Sequence, residues 1–227
     1  MKKVILILGS AITLLGACTP LDVRITGNIQ GLEGTVKLLA EIPGKGGFVV
    51  LAQQNVKNGN IDLRAEQLVP PAQVWIDLKG RKIIELIIDA RKGTFIKGQA
   101  DSLDHLEITG SALMTEYKRT VQTLDERFNP EKEGHEAKII EISQKKTLTR
   151  DDEVRLGMLQ AARLRLIGRR ADYVKLLVRK NPGQELSLFL LKNELADSLN
   201  AQKKLFATLA IRDKESNIYK ILENQLR

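Results

Sequence analysis

The chain has 227 residues, of which 43% are hydrophobic and 28% charged, a composition that is typical of a folded protein and excludes intrinsic disorder. Its single cysteine excludes disulfide bonds within the chain, and the absence of a CxxC pair excludes dithiol redox chemistry by this chain itself. The net charge of +8 is uneven: residues 18–110 carry 11 basic and 11 acidic side chains, whereas residues 111–227 carry 23 basic and 17 acidic ones.

The beginning of the chain has the layout of a secretory signal. Lys2 and Lys3 supply its positive charge, and residues 4–15 are mainly apolar. The apolar stretch has about a dozen residues, whereas a helix that spans a bilayer needs roughly 20. We therefore interpret residues 1–17 as a signal peptide and not as a transmembrane anchor.

A cysteine follows this signal directly. Leu15, Gly16 and Ala17 precede Cys18, and the pattern resembles the lipobox of bacterial lipoproteins. In a lipobox the thiol receives a diacylglyceryl group, the peptide is cut before the cysteine, and the new amine is acylated. Two or more acyl chains give stable membrane anchoring. The pattern predicts lipidation of Cys18; the alternative is ordinary secretion with a free thiol, which is prone to oxidation.

Residues 18–110 predict a β-sandwich domain. Val23, Ile25 and Ile29 alternate with polar residues, as in a strand with one buried face. The pair Asn58-Gly59 accepts the positive φ angles of a type I′ turn and indicates a hairpin. Further alternations and apolar runs bring the total to seven or eight short strands, which favours an antiparallel sandwich or barrel.

Residues 111–227 predict a helical domain. We expect an amphipathic helix over residues 112–128, ended by Asn129-Pro130, and a weaker helix over about residues 131–146. The change of pattern places a domain boundary near residues 110–111. The predicted fold class is therefore α+β, with an antiparallel β sandwich or barrel followed by a helical bundle.

A capping box at Thr149 and Asp152 opens a second long helix, which we expect to end at residues 181–183. Apolar residues at 3-4-3-4 spacing predict its buried face: Leu164, Ile167, Ala171, Val174 and Val178. Shorter helices are expected at about residues 185–198, 201–211 and 214–226.

Several of these segments together resemble one family. They are Ile25-Thr26-Gly27-Asn28-Ile29, residues 36–39, the Asn58-Gly59 hairpin, and residues 95–98 with 106–111. This set is similar to domain of unknown function 4369, which is common in Bacteroidetes-type lipoproteins. One departure is Ile61, where the family prefers an aromatic residue.

The resemblance carries expectations for the rest of the chain. In that family the domain follows a lipobox and precedes a helical segment, often with an N-P-x-S-x-x-x-x-L element, and then a thioredoxin-like disulfide reductase module. Residues 181–191 resemble the helical element. The sequence reaches Arg227 without a thioredoxin module, and the resemblance supplies no catalytic residue for this chain.

No motif points to a catalytic centre, a metal site or a cofactor. Gly44-Lys45-Gly46-Gly47 lacks the spacing of a phosphate-binding loop. His105 and His135 are the only histidines, and a zinc site needs three or four ligands. Glu85 and Asp89 flank an apolar strand, where they are either a carboxylate pair of the glycosidase type or solubilising charges.

Two weak binding candidates remain. The densest basic cluster consists of Arg163, Arg165, Arg169 and Arg170. It is either a surface for anionic headgroups or an acidic partner, or a solvated helix face paired with acids such as Asp172. Trp75, the only tryptophan, points outward from its strand, where it either anchors a ligand or packs under the helical region.

We therefore predict a lipid-anchored protein of the bacterial cell envelope. The expected location is the outer membrane, with the periplasmic face favoured over the cell surface. The expected function is that of a non-catalytic interaction or scaffold module, with a membrane contact through the lipid, an envelope protein as partner and no nucleic acid. The alternatives are an accessory partner of a separate thioredoxin-like disulfide reductase and a lipoprotein that binds a small ligand or glycan.

Overall fold

A computed structural model of the chain describes residues 23–66, 68–80, 82–89 and 93–227. The predicted signal peptide, with Leu15, Gly16 and Ala17, and the predicted lipidation site Cys18 lie outside these residues. In the described part, no helix is both long enough and apolar enough to cross a membrane.

In the described residues, the β region consists of eight strands in two four-stranded sheets. The strands are β1 (Val23–Gln30), β2 (Gly34–Glu41), β3 (Phe48–Val56), β4 (Asn60–Ala65), β5 (Ala72–Leu78), β6 (Lys82–Ile88), β7 (Thr94–Gln99) and β8 (Glu107–Thr109). The first sheet has the order β4-β1-β7-β8 and the second the order β3-β2-β5-β6. A tight turn that contains Asn58 and Gly59, at φ angles of 56° and 77°, connects β3 to β4. These two described strands do not form the predicted hairpin, because β3 pairs with β2 in the second sheet and β4 pairs with β1 in the first. The predicted α+β fold class is thus confirmed.

The core of the sandwich is aliphatic. Alternate residues of each strand point inward, as Val74, Ile76 and Leu78 do in β5, and all three are fully buried. Among the described strands, all pairs but one are antiparallel; β1 and β7 pair in parallel, with Ile25 opposite Thr94. Gly27 contacts the carbonyl of Ile96 so closely that no β-carbon would fit there.

Two long helices form an antiparallel hairpin after the strands. Helix α1 (Ala112–Ser143) is one continuous helix, so the prediction that Asn129-Pro130 ends it was wrong. Proline has no backbone N–H, so the carbonyl group four residues before Pro130 lacks its helical donor. Pro130 is exposed, so water can bind this carbonyl group instead. Ion pairs to the second helix, such as Arg169 with Glu131 at 2.6 Å, hold the segment after the proline in place.

Helix α2 (Arg150–Lys180) begins and ends where the sequence predicts. The Thr149 side chain accepts a hydrogen bond from the backbone N–H of Asp152, whose carboxylate accepts one from the backbone N–H of Thr149. The predicted apolar stripe is correct only towards its end. Val174 and Val178 are buried and Ala171 is half-buried, whereas Leu164 and Ile167 are exposed and Leu166 is buried instead.

Short helices connect the hairpin to the sandwich. They are α3 (Leu186–Phe189), which continues into a π-helical turn (Leu190–Glu194), then α4 (Leu199–Phe206) and α5 (Asn217–Leu226). Helix α5 docks on the sandwich through its first residue. The backbone N–H of Asn217 donates to the carbonyl of Val69 at 2.8 Å, and its side-chain amide donates to the carbonyl of Glu41 at 3.0 Å.

One hydrophobic cluster extends through both parts of the described chain. It contains sandwich residues such as Leu86, α1 residues such as Leu113, and Leu188 and Phe189 of α3. The strand-to-helix transition lies between Thr109 and Ala112, at the predicted boundary, but the apolar surfaces on its two sides pack into each other.

Candidate functional site

The π-helical turn joins the helical part to the second sheet. Its first two residues, Leu190 and Leu191, are buried, and the next three are polar. A π-helical turn presents successive side chains at a spacing that an α-helix does not allow, and such turns occur frequently at functional sites. Here Lys192 reaches the sheet, while Asn193 and Glu194 reach the helical hairpin.

Lys192 lies in a polar network on the outer face of the second sheet. Only 12% of its side chain is exposed, and its ammonium group lies 2.8 Å from a carboxylate oxygen of Glu41 and 3.1 Å from the amide oxygen of Gln73. The Gln73 amide group is buried and donates a hydrogen bond to Glu85. A buried ammonium group is costly unless it is paired, so these contacts fix its position.

Trp75 lies beside this network. The Lys192 ammonium group lies 5.5 Å from the centroid of its ring, within the range of a cation–π contact. The Phe48 ring packs edge-on against it, with 4.6 Å between the centroids. Trp75 is half-buried and Phe48 is 57% exposed, so the tryptophan contacts the π-helical turn at one side and reaches solvent at the other.

A second network connects the π-helical turn with both long helices. Glu194 accepts hydrogen bonds from Arg170 of α2 and from the Tyr117 hydroxyl of α1, and Asn193 donates to that hydroxyl at 3.2 Å. Burial raises the pKa of Tyr117 well above its usual value, and the carboxylates of Glu194 and Glu85 raise it further. Tyr117 is therefore a neutral hydrogen-bonding group near neutral pH.

The far half of the helical hairpin has almost no buried core. We call residues 129–165 the arm; every one of them is described, and only Ile142 and Asp152 are buried. Its interior side chains, such as Ile139 and Leu159, are half-buried. Large apolar side chains are exposed along the arm: Ile140, Leu148, Val154, Met158 and Leu164. Met158 and Leu164 each have 67% of their surface exposed.

The predicted arginine cluster mainly pairs with acidic side chains within the chain. Arg163 donates to Glu136 at 2.9 Å, Arg169 pairs with Glu131, and Arg170 contacts Glu194 and Asp125. The hydrogen bonds to these two carboxylates raise the pKa of Arg170 despite the opposing effect of burial. Arg165 is exposed, and Asp172 pairs with Lys175 rather than with an arginine.

Glu85 and Asp89 are bound to different parts of the structure. Glu85 accepts from Gln73, whereas Asp89 accepts the backbone N–H of Leu113 at 2.7 Å, in the first turn of α1. A carboxylate at a helix N-terminus is stabilised by the helix dipole, so Asp89 has a structural role.

The remaining candidates are the glycine-rich segment and the two histidines. The glycine-rich segment 44–47 links β2 to β3 and does not lead into a helix. His105 is exposed in a short 3₁₀ turn (Leu103–His105), and His135 lies on α1 beside Glu131. No group of three or more potential metal ligands occurs among the described residues.

Sequence reasoning identified Trp75 and Glu85 but missed the residues that organise them. Lys192 and Gln73 are 119 positions apart, and no periodicity links them. The π-helical turn lies inside the helix predicted over about residues 185–198, and no change in composition marks it.

The chain matches no protein-family model, no curated protein and no solved structure.

Proposed function

We propose that the protein is a lipid-anchored interaction module of the bacterial cell envelope that contacts a partner protein through its arm. The observation that supports this proposal most is the arm itself. Its two helices extend beyond the hydrophobic cluster shared with the sandwich, and they expose large apolar side chains. The anchoring is supported by the sequence pattern at Leu15–Cys18.

The contacts and the exposed side chains of the arm are those expected of a helical element that docks on a partner. An ion pair between the two helices, Arg163 with Glu136, and one from the connecting loop to the start of α2, Lys145 with Asp152, hold the arm together although few apolar side chains are buried in it. Exposed apolar side chains at helical spacing are the anchors with which a helix binds an apolar groove. Val154 and Met158, four residues apart, are two such anchors on one face of α2.

The two carboxylates that the sequence singled out favour a non-catalytic role. Asp89 is bound to the start of α1, and Glu85 is bound to Gln73, so the two do not act on one common atom. Glycoside hydrolysis requires two carboxylates that face each other across the scissile bond.

Site-specific photo-crosslinking in intact cells tests this proposal. A benzophenone amino acid at Met158 should give a discrete adduct with one envelope protein, because this side chain lies on the arm. The matched control places it at Lys97, an exposed position on the outer face of the first sheet. The same adduct from both positions, or none from Met158, would contradict the proposal.

The identity of the adduct separates the alternatives. A partner with a thioredoxin module would favour the accessory role beside a disulfide reductase. An adduct of twice the mass of the chain would show that the arm contacts a second copy.

A further inference from the structure

The outer face of the second sheet carries aromatic and aliphatic surface at a place where the helices do not cover it. Phe48, Val50 and Ile83 are exposed there, with Trp75 half-buried between them. The register places Trp75 between Leu39 of β2 and Glu85 of β6. We call Phe48, Val50, Trp75, Ile83 and Glu85 the Trp75 surface.

The local backbone is irregular at this point. The pairing of β2 with β3 shifts register between Leu38 and Leu39, next to Trp75. A β-bulge changes the direction of the side chains around it, and bulges are over-represented next to binding and active sites. The shift pairs Leu39 with Val50 and Glu41 with Phe48, and so brings the Phe48 ring against Trp75.

Polar groups in fixed positions border the aromatic pair. Glu85 is exposed and accepts one hydrogen bond from Gln73, which leaves acceptor capacity on its carboxylate. Lys192 marks the other border, where it is held by Glu41 and Gln73. Gln73 is buried and forms hydrogen bonds with both Glu85 and Lys192, so one fixed side chain connects the two borders.

The charges at this surface select among ligand classes. The Lys192 ammonium group is neutralised by Glu41, so it offers no free positive charge to an anion. The same ammonium group already lies 5.5 Å from the centroid of the Trp75 ring, so a stacking ligand would approach the aromatic pair from the side of the exposed Phe48 ring. The surface therefore combines aromatic area with an ammonium group that is already ion-paired and with the exposed carboxylate of Glu85, whose hydrogen-bond donor is the neutral amide of Gln73.

We propose that the Trp75 surface binds a neutral saccharide. One face of a pyranose ring carries only C–H groups and stacks on an aromatic ring, while its rim carries hydroxyl groups. Phe48 and Trp75 supply the aromatic contact, and the Glu85 carboxylate accepts hydroxyl protons. A few well-placed polar groups beside a mainly apolar contact are what a small-ligand site requires. This inference does not depend on the arm or its partner.

The single tryptophan allows a direct test. The full-length chain, purified in a zwitterionic detergent that contains no sugar, is titrated with cellohexaose, chitohexaose, laminarihexaose and mannohexaose. At least one of them should change the emission of Trp75 in a saturable manner, since the protein has no other tryptophan. No saturable change with any of the four would overturn the proposal.

Two matched pairs of variants locate the binding. Phe48→Ala should weaken calorimetric affinity for the binding hexasaccharide about five- to tenfold, the loss expected for one aromatic contact. Phe95→Ala is the control, because Phe95 is an exposed phenylalanine on the first sheet. Glu85→Gln should also weaken binding, whereas Glu107→Gln, at an exposed glutamate of β8, should not.

Equal affinities for Phe48→Ala and Phe95→Ala would place the ligand elsewhere and overturn the proposal. Self-association of the parent that Phe48→Ala abolishes, without any saccharide effect, would instead assign the Trp75 surface to a contact between two copies.

Discussion

At Lys192, a single ammonium group from the helical part contacts three side chains of the second sheet: Glu41, Gln73 and Trp75. The sequence pattern predicts Trp75 as an outward-facing candidate, because alternation in β5 is a local signal. It does not predict Lys192 as its neighbour, because that contact depends on how the π-helical turn docks. Local patterns thus determine which way a side chain points, while its partner depends on tertiary packing.

Removal of the Lys192 charge should destabilise the protein. Lys192→Met leaves the Glu41 carboxylate without its partner, and we expect the free energy of unfolding in urea to fall by about 1–3 kcal/mol. The double variant with Glu41→Gln should recover part of this loss, because no unpaired charge remains. Lys175→Met is the control: its partner Asp172 is 75% exposed, so the change should be within about 0.5 kcal/mol.

Asp152 predicts a pH dependence of stability. The Lys145 ammonium group, followed by hydrogen bonds from the backbone and hydroxyl of Thr149, lowers the pKa of Asp152 to about 2. In the unfolded chain this pKa is about 3.9. The carboxylate therefore stabilises the fold fully above the unfolded pKa, and this contribution is lost as the pH falls through about 2.

Asp152→Asn should lower the melting temperature at pH 6, and the difference from the parent should shrink between about pH 4 and pH 2. Thermal unfolding followed by circular dichroism measures this difference. The neighbouring Asp151 is exposed, so Asp151→Asn controls for the loss of one negative charge at the start of α2. A difference for Asp152→Asn that stays constant over this range would contradict the assigned pKa.

At the scale of elements, capping and turn chemistry were predictable, but helix interruptions were not. The capping box at Thr149 and the Asn58-Gly59 turn are determined by a few adjacent residues, and both form. The predicted pairing of the two strands beside this turn was wrong, because the strands join different sheets. Pro130 was expected to end a helix, yet α1 continues through it because α2 packs along both sides of the proline. Tertiary contacts can outweigh the cost of one lost hydrogen bond.

The arm should be the least protected part of the helical hairpin. Its residues contribute only Ile142 and Asp152 to the buried set, whereas the rest of α1 and α2 contributes Leu124, Leu166 and Val174, among others. Local opening is easiest where few apolar contacts must be broken. Hydrogen exchange followed by mass spectrometry should show faster exchange in residues 131–163 than in residues 113–127 and 167–179.

The parts of the same helices that enter the common core are the internal control for this measurement. Uniform slow exchange along both helices would contradict the prediction, unless protection of the arm rises with protein concentration. That dependence would indicate that a second copy covers it.

At the scale of the whole molecule, the fold class followed from the order of patterns along the chain. Alternating strands come first and long amphipathic helices follow, which is the arrangement of an α+β protein. The order of patterns did not predict that one hydrophobic cluster joins the two parts. Residues such as Ile218 and Leu222 of α5 belong to this cluster, but no sequence pattern identifies the sheet that they contact.

The location of the whole molecule depends on Cys18. We expect Cys18→Ala to move the protein from the membrane fraction to the soluble fraction and to abolish labelling with a palmitate analogue. The reason is that acyl chains contribute about 0.8 kcal/mol for each buried CH₂ group, so their loss removes the membrane affinity that we assign to this protein. The apolar stretch of about a dozen residues before it is too short to replace them as a spanning helix.

Ser10→Ala is the matched control, because it changes a residue of the same predicted signal without removing the thiol. This variant should stay acylated and remain with the membrane after a carbonate wash, which strips proteins held only by charge. If Cys18→Ala also remains after the wash, the lipobox interpretation is wrong, and the arm or another protein surface must hold the molecule at the membrane. Acyl labelling separates these cases, because a protein contact would retain the membrane association without the label.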